Sequence, residues 1–237
     1  PCYNYYPAKE KHAEYREGIY VGYRYYETVK LPVRFPFGFG LSYTSFSYDD
    51  LNVKDGKVSL SVKNVGETDG AEIVQLYIRK PDSVLFRADK ELKGFAKVFL
   101  QAGESRRVTI DLDDHAFRHY DYESKGWMVE GGVYQILIGA NVSDIRLNAE
   151  VTITGSGGQV PKAKDQLPSY FCGQVKAVSD QEFEKLIGHP LPADHQSKER
   201  ISSENDPISQ LSCAKNVLAR LFYKVLNYQK KKSEKKG

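Results

Sequence analysis

Between residues 46 and 154, apolar and polar positions alternate in short runs with turn-forming residues between them. The runs read "FSYDDLNV", then Asp55-Gly56, "KVSLSVKN", "AEIVQLYIRK", "ELKGFAKVFL", then Ala102-Gly103, "SRRVTIDL", "WMVE", then Gly131-Gly132, "VYQILIGA" and "IRLNAEVTI". Successive side chains of a strand point to opposite faces, so a period of two with one apolar set predicts strands that bury one face. Seven or eight such runs, at nearly regular spacing and with no helical period among them, predict an antiparallel β-sandwich. Trp127 and Tyr134 are the aromatics this pattern assigns to its core. The pattern leaves the strand order open.

The flanks follow other rules. Residues 15–27, "YREGIYVGYRYYE", also alternate and predict a short N-terminal strand, with Gly18 and Gly22 on one face where another chain segment can approach closely. One strand cannot make a sheet, so this segment is expected to pack on another unit. "PFGFGLSYTSF", residues 36–46, places glycines and phenylalanines where this segment gives way to the first sandwich strand at Phe46, and it reads as a joint. Beyond the sandwich, residues 155–178 read as a Gly/Pro/Lys-rich linker. Ser179 and Glu182 have capping-box spacing, and Gly188 stops a short helix carrying Phe183, Leu186 and Ile187. Asp206-Pro207 opens a second helix with Ile208, Leu211, Ala214, Leu218, Leu221, Phe222 and Val225 on one face, to about residue 228. Residues 229–237 read as a disordered basic tail.

Composition narrows what such a chain does. At 237 residues the chain is long enough to bury a core without disulfides or metals. Cys2, Cys172 and Cys213 are odd in number and scattered, which fits a reducing compartment and a cytoplasmic location better than a disulfide framework. No run of 18 apolar residues is present, and the first 20 residues carry no signal-peptide core. In residues 215–237, Lys and Arg outnumber Glu234 eight to one, so the other 214 residues have a net charge of −4 within the total of +3. A mildly acidic body excludes a nucleic-acid-binding body. For the basic helix two roles stand, contact with an anionic membrane surface or docking on a protein, and docking is preferred.

No catalytic, cofactor-binding or metal-binding residue is assigned. The 17 tyrosines and 11 phenylalanines suit sheets and also sugar stacking. Sugar hydrolysis needs two carboxyl groups facing one bond, yet Asp49-Asp50 and Asp113-Asp114 are adjacent pairs that a strand points apart or a turn hands to solvent. His115 and His119, with Arg118 between them, lack a third ligand. Gly38 and Gly40 lack the third glycine, the following helix and the Lys-Ser/Thr pair of a phosphate loop.

Several stretches together resemble one family. "YREGIYVGYRYYE", "FPFGFGLSYTSFSY", "VKNVGETDGAEIVQLYI", "KELKGFAKVFLQAGES" and "WMVEGGVYQILIGANVSDIRL", in this order over residues 15–153, are similar to the C-terminal portion of family 3 glycoside hydrolases, the β-glucosidase group. The 168–228 segment resembles C-terminal extensions of some bacterial, clostridial-type members. The resemblance implies a mainly β chain: residues 1–45 as the tail of an α/β domain, 46–154 as a fibronectin type III-like (immunoglobulin-like) sandwich, and 179–228 as a helical extension. It implies a nucleophile in a Ser-Asp-Trp-type motif of a barrel and a glutamate acid/base in the α/β domain. Neither can be carried over: Ile and Gln follow the two Ser-Asp pairs at 143 and 179, and the single Trp follows Gly126. The expectation is therefore a non-catalytic portion that braces a barrel and an α/β domain through Tyr15, Arg16, Tyr23, Arg24, Phe35, Phe37, Phe39 and Tyr43. Val84, Phe86 and Arg87 in the 79–92 loop are expected at an active-site rim. A free-standing carbohydrate-binding or adhesion module with an oligosaccharide partner, and one chain of a split β-glucosidase, are the alternatives.

Overall fold

The computed structural model describes residues 2–5, 13–121, 124–157, 164–191 and 208–234. Nine strands run in chain order: β1 (Phe46–Lys54), β2 (Lys57–Asn64), β3 (Gly70–Arg79), β4 (Glu91–Leu100), β5 (Ser105–Asp111), β6 (Arg118–Asp121), β7 (Gly126–Val129), β8 (Gly132–Gly139) and β9 (Ile145–Ile153). They form a three-stranded sheet in the order β1-β2-β5, a four-stranded sheet in the order β4-β3-β8-β9, and the separate β6–β7 hairpin, all antiparallel.

The alternation explains the core. Val58, Leu60 and Val62 of β2, Val74, Leu76 and Ile78 of β3, and Tyr134, Ile136 and Ile138 of β8 sit at i, i+2, i+4 and are all buried in one cluster. Each contributes about 1.5–3 kcal/mol relative to staying exposed. Asp55 and Gly56 both take positive φ, 50° and 69°, as a two-residue hairpin turn between right-twisted strands requires. One buried polar residue, Asn64, closes an end of the core: its Nδ2 donates to Thr68 O at 2.9 Å and Leu100 O at 3.2 Å, and its Oδ1 accepts from Gly66 N at 3.1 Å.

Two expectations fail here. Residues 15–27 are not a strand: turns at 16–19 lead into a short helix, α1 (Tyr23–Thr28). Gly18 and Gly22 both have φ of 54°, in the left-handed region, which breaks an extended run. Their role is conformational, since a Cβ at Gly22 meets nothing within 4 Å and one at Gly18 makes only an ordinary contact. Trp127 is not a core residue, because β7 lies in the hairpin outside both sheets and leaves its ring 65% exposed. Tyr134 is in the core.

Arg16–Gly188 form one compact unit. It includes α2 (Pro168–Cys172) and α3 (Asp180–Ile187), so part of the stretch read as a linker is helical and packs with the sandwich unit. Ser179 caps α3 by accepting from Glu182 N, and Gly188 ends it in the left-handed conformation. Cys2–Tyr15 and His189–Gly237 form the second unit. Its main element is α4 (Val217–Glu234), which runs past the point where a disordered tail was expected. The helix start read at Asp206-Pro207 lies outside the described residues.

Candidate functional site

The segment from Arg16 to Thr44 and the 80–90 loop are held on the outer face of the four-stranded sheet. Gln75 of β3 is the centre of this attachment. Its Nε2 donates to Gly38 O at 3.1 Å and to Ala140 O at 2.6 Å, while its Oε1 accepts from Tyr77 Oη at 2.6 Å. Val142 N adds a bond to Phe37 O at 3.0 Å. Gly38 has φ of 80°, and a Cβ there would lie 2.1 Å from Gln75 Oε1, so the joint requires glycine twice over. The Phe37 ring stacks on Tyr23 at 4.5 Å, and Tyr23 meets Tyr77 edge-on at 6.3 Å. Tyr23 Oη accepts from Leu92 N at 2.9 Å. Burial, with Tyr23 and Glu27 nearby, raises the Tyr77 phenol above its ordinary range, which keeps it a neutral donor to Gln75.

Arg16 is buried. It pairs with Asp180 at 2.6 Å, donates to Val178 O at 2.9 Å and lies 5.1 Å from the Phe183 ring. Beside it, the fully buried Tyr20 and Tyr170 exchange bonds with the opposite segment: Tyr20 Oη donates to Tyr170 O, and Tyr170 Oη donates to Arg16 O at 2.8 Å. Arg24 reaches Glu91 at 4.0 Å. Burial alone would raise the Glu91 carboxyl; Lys93 at 2.6 Å, together with Arg24 and Arg87, outweighs it and leaves the carboxyl below its usual range. Arg16, Tyr23 and Arg24 are thus internal struts.

Of the other predicted docking residues, Phe37 lies on Tyr23 and the rest face outward. Tyr15 belongs to the second unit and is exposed. Phe35 and Phe39 lie 5.4 Å apart and both are exposed. Leu41 is 91% exposed and Tyr43 99%. Sequence reading overlooked the regularity of this stretch: Leu31, Val33, Phe35, Phe37, Phe39, Leu41 and Tyr43 occupy every odd position and are all exposed. The cross-strand partner of Gln75 is Phe95 of β4, also exposed, with Phe99 and Ile73 on the same outer face.

The 80–90 loop is turned inward at two of its three predicted rim residues. Phe86 packs on Tyr170 at 5.5 Å and Phe171 at 6.0 Å. Arg87 pairs with the buried Glu130 at 3.1 Å. Glu130 also accepts from Ser83 Oγ and Val84 N, both at 2.8 Å, and so fixes the loop. Val84 alone is exposed. Burial, then the Arg87 charge, holds the His119 ring below its ordinary pKa. An aromatic–carboxylate–guanidinium group lies elsewhere, where Trp127, Asp113 and Arg118 line a cavity of about 650 Å³.

The fibronectin type III-like domain family matches residues 72–142. Thermostable beta-glucosidase B of Acetivibrio thermocellus is 47% identical over 164 residues, which is 66% of this chain and 22% of that protein. An exo-alpha-(1->6)-L-arabinopyranosidase of Bifidobacterium breve is 42% identical over 166 residues, 68% of this chain and 22% of that protein. Among solved structures, the GH3 beta-glucosidase of Bifidobacterium adolescentis superposes with a TM-score of 0.65 at 38% identity, covering 75% of this chain and 28% of that one. The chain spans about a fifth of the length of the curated relatives it matches. Its sandwich is a fibronectin type III-like domain, and the chain belongs to the family 3 glycoside hydrolases, corresponding to the C-terminal part of their β-glucosidase group.

Proposed function

We propose that this chain is a non-catalytic brace of a family 3 β-glycosidase, whose whole enzyme hydrolyses terminal β-linked sugars in a barrel and an α/β domain that this chain supports. The observation that carries the reading is the exposed apolar run from Leu31 to Tyr43, held at Phe37 and Gly38 and with Phe35, Leu41 and Tyr43 more than half exposed. An apolar stretch of this length costs solvation unless a partner covers it. In the same proposal α4 docks on protein rather than on an anionic membrane, resting on exposed Leu218, Leu221, Phe222 and Val225 beside Lys215 and Lys224. A reducing, cytoplasmic setting belongs to it too, supported by the exposed free thiols of Cys2 and Cys172.

The test mixes the purified chain with the A. thermocellus relative truncated to lack the segment this chain matches, and follows hydrolysis of an aryl β-glucoside. The expected outcome is no hydrolysis by the chain alone and restored hydrolysis in the mixture. Hydrolysis by the chain alone, abolished by mutating its own acids, would sink the reading.

A further inference from the structure

We propose that the cavity around Trp127 binds a neutral pyranose-ring saccharide. The cavity is an open cleft of about 650 Å³, large enough for a sugar ring laid on its surface, and is lined by Leu112, Asp113, Phe117, Arg118, Trp127 and Ser156, among others. A tryptophan exposed to 65% in a folded domain is unusual, because its ring carries the largest apolar surface of any side chain. The ring is also supported on one side. Trp127 stands opposite Tyr120 in the β6–β7 register, and the two rings meet edge-on at 5.6 Å. The cavity wall is fixed by Val129 N donating to Ser156 Oγ at 2.8 Å and Ser156 N donating to Val129 O at 3.0 Å.

A pyranose has one flat C–H face and a rim of hydroxyls. The face matches an exposed indole supported on one side by Tyr120. The hydroxyls, each donor and acceptor, match a carboxylate that only accepts and a guanidinium that only donates. Asp113 and Arg118 supply those two groups on the same cavity, and Ser156 and Thr154 add hydroxyls. One negative and one positive side chain leave the lining without net charge, which favours a neutral ligand over an anion or a cation. The inference does not rest on the bracing role; a chain that failed to complement a truncated relative could still bind saccharide here.

Trp127 is the only tryptophan among 17 tyrosines, so emission excited at the red edge, where tyrosine does not absorb, reads this site alone. The full chain is titrated with cellotetraose and xylotetraose, with calorimetry in parallel and acyclic sorbitol as the control. A saturable fluorescence change with at least one tetrasaccharide is expected, with none for sorbitol. By calorimetry Trp127→Ala should weaken binding at least about tenfold, Asp113→Asn about threefold, and Trp127→Phe less than Trp127→Ala. Both positions are exposed, so thermal melts of the variants should match the parent. No saturation with either sugar, an equal response to sorbitol, or unchanged affinity in Trp127→Ala would each overturn the proposal.

Discussion

β2 and the Leu31–Tyr43 stretch carry the same pattern and meet opposite fates. In β2, Val58, Leu60 and Val62 alternate with polar residues and are fully buried. From Leu31 to Tyr43 the alternation is stricter, yet no strand forms and all seven apolar side chains are exposed. The difference is in the intervening positions. β2 interposes Ser59, Ser61 and Lys63, whose backbone groups pair on both sides with β1 and β5. The other stretch interposes Pro32, Pro36, Gly38 and Gly40. Proline has no N–H to donate, and glycine removes a side chain and the extended preference. Period two therefore predicts which residues share a face, while a strand also needs a neighbour and a donor at each step.

If β2's face belongs to a completed core, damaging that core should have the largest effect. Ile136→Ala removes a fully buried side chain from β8, an interior strand of the four-stranded sheet. The expected loss is about 2–5 kcal/mol by denaturant unfolding, with near-native m-value. A loss below about 1 kcal/mol would mean the sandwich interior is looser than its burial implies.

The loop anchor comes next. Glu130→Ala leaves Arg87 without its carboxylate and frees Ser83 Oγ and Val84 N, all in a part-buried setting. Breaking a buried pair from one side costs about 3 kcal/mol. The signature that separates it from a cavity mutation is local: proteolysis within residues 80–90 should accelerate more than global unfolding predicts.

Acid should act on the attached layer through two groups with the same sign. The folded His119 pKa is depressed by burial and then by Arg87, so the native state binds fewer protons than the unfolded chain around the ordinary 6.5. Its contribution is intact above that value and is lost as pH falls through the lower folded value. Glu91, also depressed, acts the same way further down, below its ordinary 4.5. Stability should thus fall in two steps on acidification, and His119→Gln should flatten the upper one in a Tm-versus-pH series. An unchanged upper step would assign it to another group.

Much of this was legible. Eight strand runs, the Asp55-Gly56 turn and the Ser179 cap could be read because each is a local preference that tertiary packing agrees with. The hairpin's first strand, β6, was hidden in "DHAFRHYDYE", where no apolar alternation marks it. The 15–27 segment misled because alternating aromatics were weighed above two glycines that needed positive φ. Trp127 misled because a lone tryptophan normally goes inside. Three of the eight docking residues, Arg16, Tyr23 and Arg24, are internal struts. Their partners, Asp180, Leu92 and Glu91, lie far along the chain, and no spacing rule links them.

The smallest expected effect on stability is the most informative for the exposed stretch. Leu41→Asp and Tyr43→Asp alter side chains that are 91% and 99% exposed, beyond the Gly38 tether, so the isolated chain should lose no more than about 0.5 kcal/mol. A buried partner surface has no such tolerance: a carboxylate pressed into an apolar interface without a partner costs several kcal/mol. In the mixture with the truncated relative, each substitution should therefore reduce restored hydrolysis by about tenfold or more while leaving the chain's own melt unchanged. Phe95→Asp, at an exposed position on the same outer sheet face, extends the comparison. If it too abolishes complementation, the partner surface runs across the sheet; if it leaves complementation intact, the contact ends near Gln75 and the Leu31–Tyr43 stretch carries it alone. Full complementation by both Leu41→Asp and Tyr43→Asp would remove that stretch from any interface. The contrast with β2 would then reduce to backbone chemistry, with proline and glycine preventing a strand and nothing recruiting the side chains they leave exposed.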